Sequence, residues 1–350
     1  MSANLTIPPC DSIRDVEHLE ELLSEPTAAV IETLARLPGD LVVLGVGGKM
    51  GPTLARMARR AFDAAGVHRR VVGVARFSSP GLEERLQTHG VETVRCDLLD
   101  PAQRDRLPDA PNVVVMLGMK FGATGQEALT WAMNSYLPAL VCGKYRGSRV
   151  VAFSTGNVYA LTPPHLGGSR ETDPPAPIGE YAMSCVGRER IYEYFSRTWG
   201  MPMALLRLNY ATEMRYGVLV DIARKVFAGE LVDVTMGCLN ALWQGDANAM
   251  ALGAFAHLSC PPLVVNLAGP EVLSVRRVAE EFGRLLGKPV TLCGAEAADA
   301  LLSNGQLGHR LFGYPRVSAG EMLRWIADWV QRGGTHLGKP THFEVRDGRF

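Results

Sequence analysis

The sequence predicts an α/β protein built on a doubly wound parallel sheet with a smaller C-terminal lobe. Three observations carry this. From Leu41 onward, short apolar runs alternate with helical patterns, the order expected of parallel strands joined by crossover helices. The runs are continuously apolar, as in Leu41-Val42-Val43-Leu44, which suits strands buried on both faces. A glycine cluster, Gly45-Val46-Gly47-Gly48-Lys49-Met50-Gly51, lies between the first such run and the helix after it.

Residues 1–40 read as a helical extension. Asp11 or Ser12 caps a pattern over Val16–Leu23, and Pro26 opens another over Ala28–Leu37; both are expected to pack on the sheet. The sheet domain, 41–210, starts with the strand Leu41–Gly45 and the helix Thr53–Ala65. There follow strand Arg70–Ala75, helix Gly81–His89, strands Thr93–Cys96 and Asn112–Leu117, a long helix through Asn134, and strand Arg149–Ser154. Beyond about residue 210 the order changes to helix Val218–Ala228, strand Val232–Val234, helix Asp246–Leu258, strand Leu263–Asn266 and helix Ser274–Leu286. Residues 211–335 are therefore expected to form the smaller, substrate-binding lobe together with elements that complete the sheet. The tail, 336–350, mixes aromatic and charged residues; it reaches back over the cleft, docks on a partner subunit, or frays.

Composition narrows the function. Hydrophobic residues make up 47% and charged residues 21% of the 350, as in an ordinary globule. Lys+Arg and Asp+Glu are equal at 36 each, so no basic excess points to nucleic acid or an anionic membrane. A small molecule is the expected partner, and a homodimer is left open. The seven cysteines are scattered without a C-x-x-C pair and read as reduced thiols, which places the protein in the cytoplasm. Met1–Pro9 lacks the pattern of a secretion signal, and no apolar run approaches the roughly 20 residues of a membrane helix. The histidines form no ligand spacing, so no metal site is expected.

The glycine cluster is where chemistry enters. Its first glycine permits a tight turn, its second lets backbone approach a pyrophosphate, and its third lets helix and strand pack closely. The helix after it directs N–H groups and a positive dipole end at phosphates. Strand, turn and helix in that order predict a dinucleotide site at Gly45, Gly48 and Gly51. The second strand ends Val74-Ala75-Arg76 with no acid at its tip. An acid there would bind the ribose hydroxyl and an arginine accommodates a 2′-phosphate, so Arg76 favours NADP over NAD.

Further residues make the chain similar to the extended short-chain dehydrogenase/reductases of the NAD-dependent epimerase/dehydratase type, from about residue 41 to about 330. Asp97-Leu98 resembles the family's adenine-contacting pair, Leu117-Gly118 falls beside its nicotinamide position, and Asn134 matches an asparagine of the next helix. Phe153-Ser154-Thr155-Gly156-Asn157-Val158-Tyr159 resembles the segment carrying its catalytic hydroxyl, and Tyr181 stands 26 residues after Thr155. Glu189, Arg207-Leu208-Asn209-Tyr210 and Trp243-Gln244-Gly245-Asp246 resemble later landmarks. The resemblance implies hydride exchange at nicotinamide C4 during epimerisation, dehydration or reduction of a sugar or sugar derivative. Tyr181 would exchange the hydroxyl proton and Thr155 would orient the oxygen. The cofactor would be held by Gly45, Gly48, Lys49, Met50, Gly51, Arg76, Asp97, Leu98, Leu117, Gly118, Ser154, Tyr181 and Cys185, and the substrate by Asn157, Asn209 and Arg215.

One departure stands out. The family motif is Tyr-x-x-x-Lys, and here it is Tyr181-Ala182-Met183-Ser184-Cys185. The missing ammonium would favour the phenolate of a group whose ordinary pKa is about 10. Lys120, on the loop after the fourth strand, is the first candidate to replace that charge. Arg188 is second, on nearly the same helix face as Tyr181 but about 10 Å along the axis. The alternative reading is a dinucleotide-binding sensor or scaffold that has lost the chemistry.

Overall fold

The computed structural model describes residues 12–120 and 125–348; Cys10, Asp11, Phe121 and the last two residues of the tail lie outside them. Helices α1 (Val16–Leu23) and α2 (Ala28–Ala35) come first. Their caps are Asp15, which accepts from the His18 amide, and Thr27, which accepts from the Val30 amide. Ser12, an expected cap of α1, stands one turn too early for that bond.

The sheet domain runs β1 (Leu41–Leu44), α3 (Gly51–Ala64), β2 (Val71–Ala75), α4 (Leu82–Thr88), β3 (Glu92–Arg95), α5 (Pro101–Asp105) and β4 (Asn112–Val115). The expected long helix is divided. It comprises α6 (Glu127–Trp131), a π-helical turn at Ala132–Tyr136, and α7 (Leu137–Lys144). Next come β5 (Arg149–Thr155), α8 (Gly179–Trp199) and β6 (Met203–Leu208). The C-terminal part contributes β7 (Ala211–Thr212), α9 (Val218–Ala228), β8 (Leu231–Asp233), β9 (Cys238–Leu239), β10 (Leu242–Trp243), α10 (Gln244–Gly253) and β11 (Leu263–Leu267). It ends with β12 (Leu273–Ser274), α11 (Val275–Leu286), β13 (Thr291–Cys293), α12 (Gln306–Phe312) and α13 (Ala319–Gln331).

Seven strands form the main sheet in the order β11-β6-β5-β4-β1-β2-β3, and every pairing in it is parallel. This is the Rossmann-like, doubly wound arrangement, with β11 added beyond β6. Chain direction across the sheet reverses between β1 and β4, and the crevice at their carboxyl ends is where such folds bind ligands.

Burial follows the pleat. Leu41, Val43, Val114 and Val151 face a layer that includes Val30 of α2, Leu54 of α3 and Ala251 of α10. Val42, Leu44, Val113 and Val150 face the other side, with Val141 of α7 and Tyr192 of α8. A third core fills the lobe around Ile222, Phe282, Trp325 and Ile326. The two N-terminal helices, both expected on the sheet, divide between layers. α2 joins the sheet-side layer, whereas Leu19, Leu22 and Leu23 of α1 enter the lobe core.

Candidate active site

The dinucleotide groove begins at Gly45, whose φ of +82° lies in the left-handed region that glycine adopts without steric cost. The amides of Gly45 and Val46 both donate to Val74 O, at 2.9 and 3.2 Å, so the turn is tied to β2. A side chain at Gly51 would collide with the Val46 main chain. These close approaches leave a backbone cradle at the start of α3, and the residues present fit a pyrophosphate. Arg76, Asp97, Leu98, Leu117 and Gly118 line the same groove, with Ser78 and Ser79 beyond the exposed Arg76. Asp97 is partly engaged: its Oδ1 accepts from the Leu99 amide at 3.0 Å.

Next to the groove is a cavity of about 270 Å³ lined by Lys49, Lys120, Thr155, Asn157, Tyr181, Arg188, Asn209 and Tyr216. The two expected catalytic hydroxyls meet there. Thr155 ends β5 and bonds Asn157 through its side chain, at 3.0 Å, and its amide, at 3.2 Å. Tyr181, in the first turn of α8, is hydrogen-bonded to both Thr155 and Cys185. Burial pushes its pKa far up, and the Cys185 thiolate form would push it further; Arg188 and Thr155 oppose this only in part. Cys185 has no solvent exposure, and burial raises its thiol pKa as well.

A buried network fixes the end of β5. Ser154 donates to Glu189 at 2.6 Å, and Glu189 forms a paired salt bridge with Arg207. Arg207 donates on to the Tyr159 hydroxyl at 2.7 Å, which donates to Asn266 at 2.8 Å. Ser154, expected to touch cofactor, is thus also the link that holds Thr155 in place. Tyr159 and Asn266 were not expected in this role, since only the folded sheet brings residues so far apart in sequence together. Asn209 is 3% exposed and donates to Asn240.

Arg188 is the residue whose position differs most from expectation. Its guanidinium is buried against the site, donating to Phe153 O at 3.1 Å and to Asn134 Oδ1 at 2.5 Å. A Cβ on Gly118 would lie only 2.5 Å from Arg188 Nη2, so the absence of a side chain at 118 makes room for this cation. Asn134 sits in the π-helical turn, a distortion that often marks functional positions. It receives the Met119 amide at 2.9 Å and donates to Met119 O and the Ser184 hydroxyl. The loop bearing Gly118 and Lys120 is therefore fastened to the helix bearing Tyr181. Lys120 lines the cavity; burial lowers its pKa to about 8, opposed by Cys185 and Asp221.

Two other residues lie apart from their expected partners. The Lys49 side chain, expected on the cofactor, points to the lobe: Nζ donates to Ala211 O at 3.1 Å and stands 3.6 Å from the centre of the Tyr216 ring. Arg215, expected on substrate, pairs instead with Glu213 and Glu20, at 3.2 and 3.1 Å. It is absent from the cavity wall among the described residues. Asp246 likewise serves structure, accepting from Arg316 at 2.8 Å and from the Val317 amide.

The model of the NAD dependent epimerase/dehydratase family matches residues 41–214. Residues 41–214 belong to that family. Membership places the chain among NAD-dependent enzymes. Solved structures of the same fold include the UDP-glucuronic acid 4-epimerase of Bacillus cereus in complex with NAD. That chain is 16% identical at a TM-score of 0.70, with 84% of this chain and 99% of that one covered. The UDP-glucose 4-epimerase of Thermotoga maritima with UDP-glucose is 17% identical at 0.68, covering 84% and 99%. The UDP-glucose 4-epimerase of Thermus thermophilus with NAD is 20% identical at 0.68, covering 83% and 98%. No curated protein is similar enough to the sequence to count as a relative. No helix among the described residues is long and apolar enough to cross a membrane.

Proposed function

We propose that the chain is an NAD(P)-dependent epimerase, dehydratase or reductase of a carbohydrate-like substrate, with Tyr181 and Thr155 as its catalytic pair. The observation that carries this is the meeting of those two hydroxyls, hydrogen-bonded to one another, at the carboxyl end of β5 beside the glycine turn. The solved structures with this fold hold NAD and UDP-sugars, which supports a sugar or sugar nucleotide as substrate.

A bound nicotinamide dinucleotide would supply the hydride acceptor and donor. The chain supplies the rest. Gly45, Gly48, Met50 and Gly51 offer the cradle for its phosphates, Asp97 and Leu98 the adenine wall, and Leu117, Gly118 and Ser154 the surroundings of its other end; Cys185, expected on the cofactor, is packed against Val158 and Tyr159 and lines neither the groove nor the cavity. Arg76, with Ser78 and Ser79, offers donors for a 2′-phosphate and no competing acid at the tip of β2, which favours NADP(H). Thr155 and Asn157 orient the substrate oxygen and Tyr181 exchanges its proton. Positive charge for Tyr181 comes from Arg188, already fixed against the site, and from Lys120 on the adjoining loop. Asn209 borders the substrate.

The neutral Cys185 and the raised pKa of Tyr181 favour a second reading, a dinucleotide-binding sensor or scaffold without turnover. Assaying cofactor-loaded protein against sugars and sugar nucleotides separates the two. Turnover that disappears in Tyr181→Phe supports the enzyme. Cofactor binding without turnover across the set supports the sensor.

A further inference from the structure

The tail after α13 crosses the cleft and is fastened on both sides of it. The Leu337 amide donates to Arg215 O at 3.0 Å. Thr341 donates to Asp221 of α9 through its amide, at 2.7 Å, and its hydroxyl, at 2.6 Å. Farther on, Phe343 is buried in the lobe core and Arg346 donates to Asp299 O at 2.9 Å. The Gly348 main chain then packs against Gly179, at the start of α8. The segment thus runs from the lobe to the helix that carries Tyr181.

Between the anchors at Leu337 and Thr341 the chain forms a short arch. Gly338 has a φ of +64°, in the left-handed region that glycine adopts without steric cost, and Pro340 fixes its own φ on the other side. Lys339 stands between them, exposed, with no hydrogen bond or ion pair among the described residues. It is also the one residue of the tail in the described lining of the dinucleotide groove. Thr341, two residues on, lines the cavity beside Tyr181. The two linings share Gly45, Gly48, Met116, Leu117, Gly118 and Lys120. The arch therefore stands where groove and cavity meet, at the glycine turn and the end of β4, which is where a pyrophosphate on the cradle would lie.

The turn itself brings no side-chain cation to that place. Lys49 lines the cavity but not the groove, and its ammonium faces Ala211 O and the Tyr216 ring. Backbone amides and the N-terminus of α3 favour phosphate, yet they carry only partial charge. We infer that the tail is a strap over the bound dinucleotide, and that Lys339, at the top of its arch, pairs with the pyrophosphate. This rests on the groove being the dinucleotide site, and it adds a contact from a segment outside the matched residues 41–214. A lysine bonded to a phosphate oxygen is charge-assisted, worth about fivefold or more in affinity at low salt and less as salt screens it. Because the arch is held on both sides, the effect falls mainly on release of the dinucleotide, as for most contacts that tune affinity.

The test reads binding and needs no turnover. Release of NADH and of NADPH at low salt is followed by nicotinamide fluorescence, and the affinities of ADP-ribose and AMP are measured by calorimetry. Lys339→Met is expected to speed release of both dinucleotides about fivefold or more and to weaken ADP-ribose to match. AMP, which lacks the pyrophosphate, is expected to lose less. Lys339→Arg should keep the slow release. Bound dinucleotide should also slow amide hydrogen exchange in the tail of the wild type, and do so less in Lys339→Met. Unchanged thermal unfolding of unliganded Lys339→Met shows that the contact, not the fold, has changed. Four results overturn the proposal while leaving the groove its dinucleotide: release unchanged in Lys339→Met, a loss confined to NADPH, a loss for AMP as large as for ADP-ribose, or tail exchange indifferent to the dinucleotide. A wild-type protein that binds neither dinucleotide overturns it together with the reading of the groove.

Discussion

At position 185 a thiol stands where the family has an ammonium, and the structure places the Arg188 guanidinium nearby, under Gly118. If Arg188 supplies the charge, Arg188→Met raises the Tyr181 pKa, because a positive neighbour stabilises phenolate. The acidic limb of the pH–rate profile for substrate oxidation, where the phenolate is lost to protonation, should then move to higher pH. Cys185→Lys in the same protein should move it back. A profile that Arg188→Met leaves in place would assign the charge to Lys120 instead. At the other end of the cleft, Arg76→Asp should shift the ratio of NADP(H) to NAD(H) affinity by about tenfold or more toward NAD(H), read by titration. The two hydroxyls proposed as catalytic were legible in the sequence, Thr155 from its local segment and Tyr181 from its interval of 26 residues after Thr155. The true direction of Lys49 was not, since its partner Ala211 lies 162 residues away, and neither were the Glu213 and Glu20 contacts that occupy Arg215.

Elements were legible in proportion to their length. The buried runs of β1, β2, β4 and β5 and the helix α3 carry clear patterns. The two-residue ladders β7–β10 and β9–β12 are too short to show any alternation. The break in the long helix did have a signal, Pro138, which opens α7 and has no N–H to bond back into the π turn before it. The tail shows tertiary context overriding composition. Polar on paper, it anchors Phe343, 2% exposed, in the lobe core and binds Asp221 through Thr341. The last described residue of the tail, Gly348, lies with its main chain against Gly179, just ahead of Tyr181. Phe343→Ala should cost about 3–5 kcal/mol of stability, measured by denaturant unfolding. A cost below about 1 kcal/mol would mean that the tail is not part of the packed lobe.

At the scale of the molecule, the sheet and the lobe meet around one cleft, with the dinucleotide turn on one side and α9 and the tail on the other. Leu129 and Tyr136, near α6, and Met183 and Tyr194 on the adjoining α8 remain exposed, at 42, 59, 45 and 60%. Such exposure on neighbouring helices fits a subunit interface, so we expect a homodimer. Tyr136→Asp with Tyr194→Asp should give a monomer in sedimentation, and a wild-type protein that is monomeric at all concentrations would remove this expectation. The central claim is that the cleft runs nicotinamide chemistry through Tyr181. It is tested most directly by following the near-ultraviolet absorbance of reduced nicotinamide in cofactor-loaded protein mixed with sugar acids, sugar phosphates and sugar nucleotides. The account predicts net or transient reduction with at least one of them, lowered about 10²–10⁴-fold in Tyr181→Phe with cofactor affinity preserved. A protein that binds the cofactor yet reduces it with none of them, or a Tyr181→Phe variant as fast as the wild type, would contradict it.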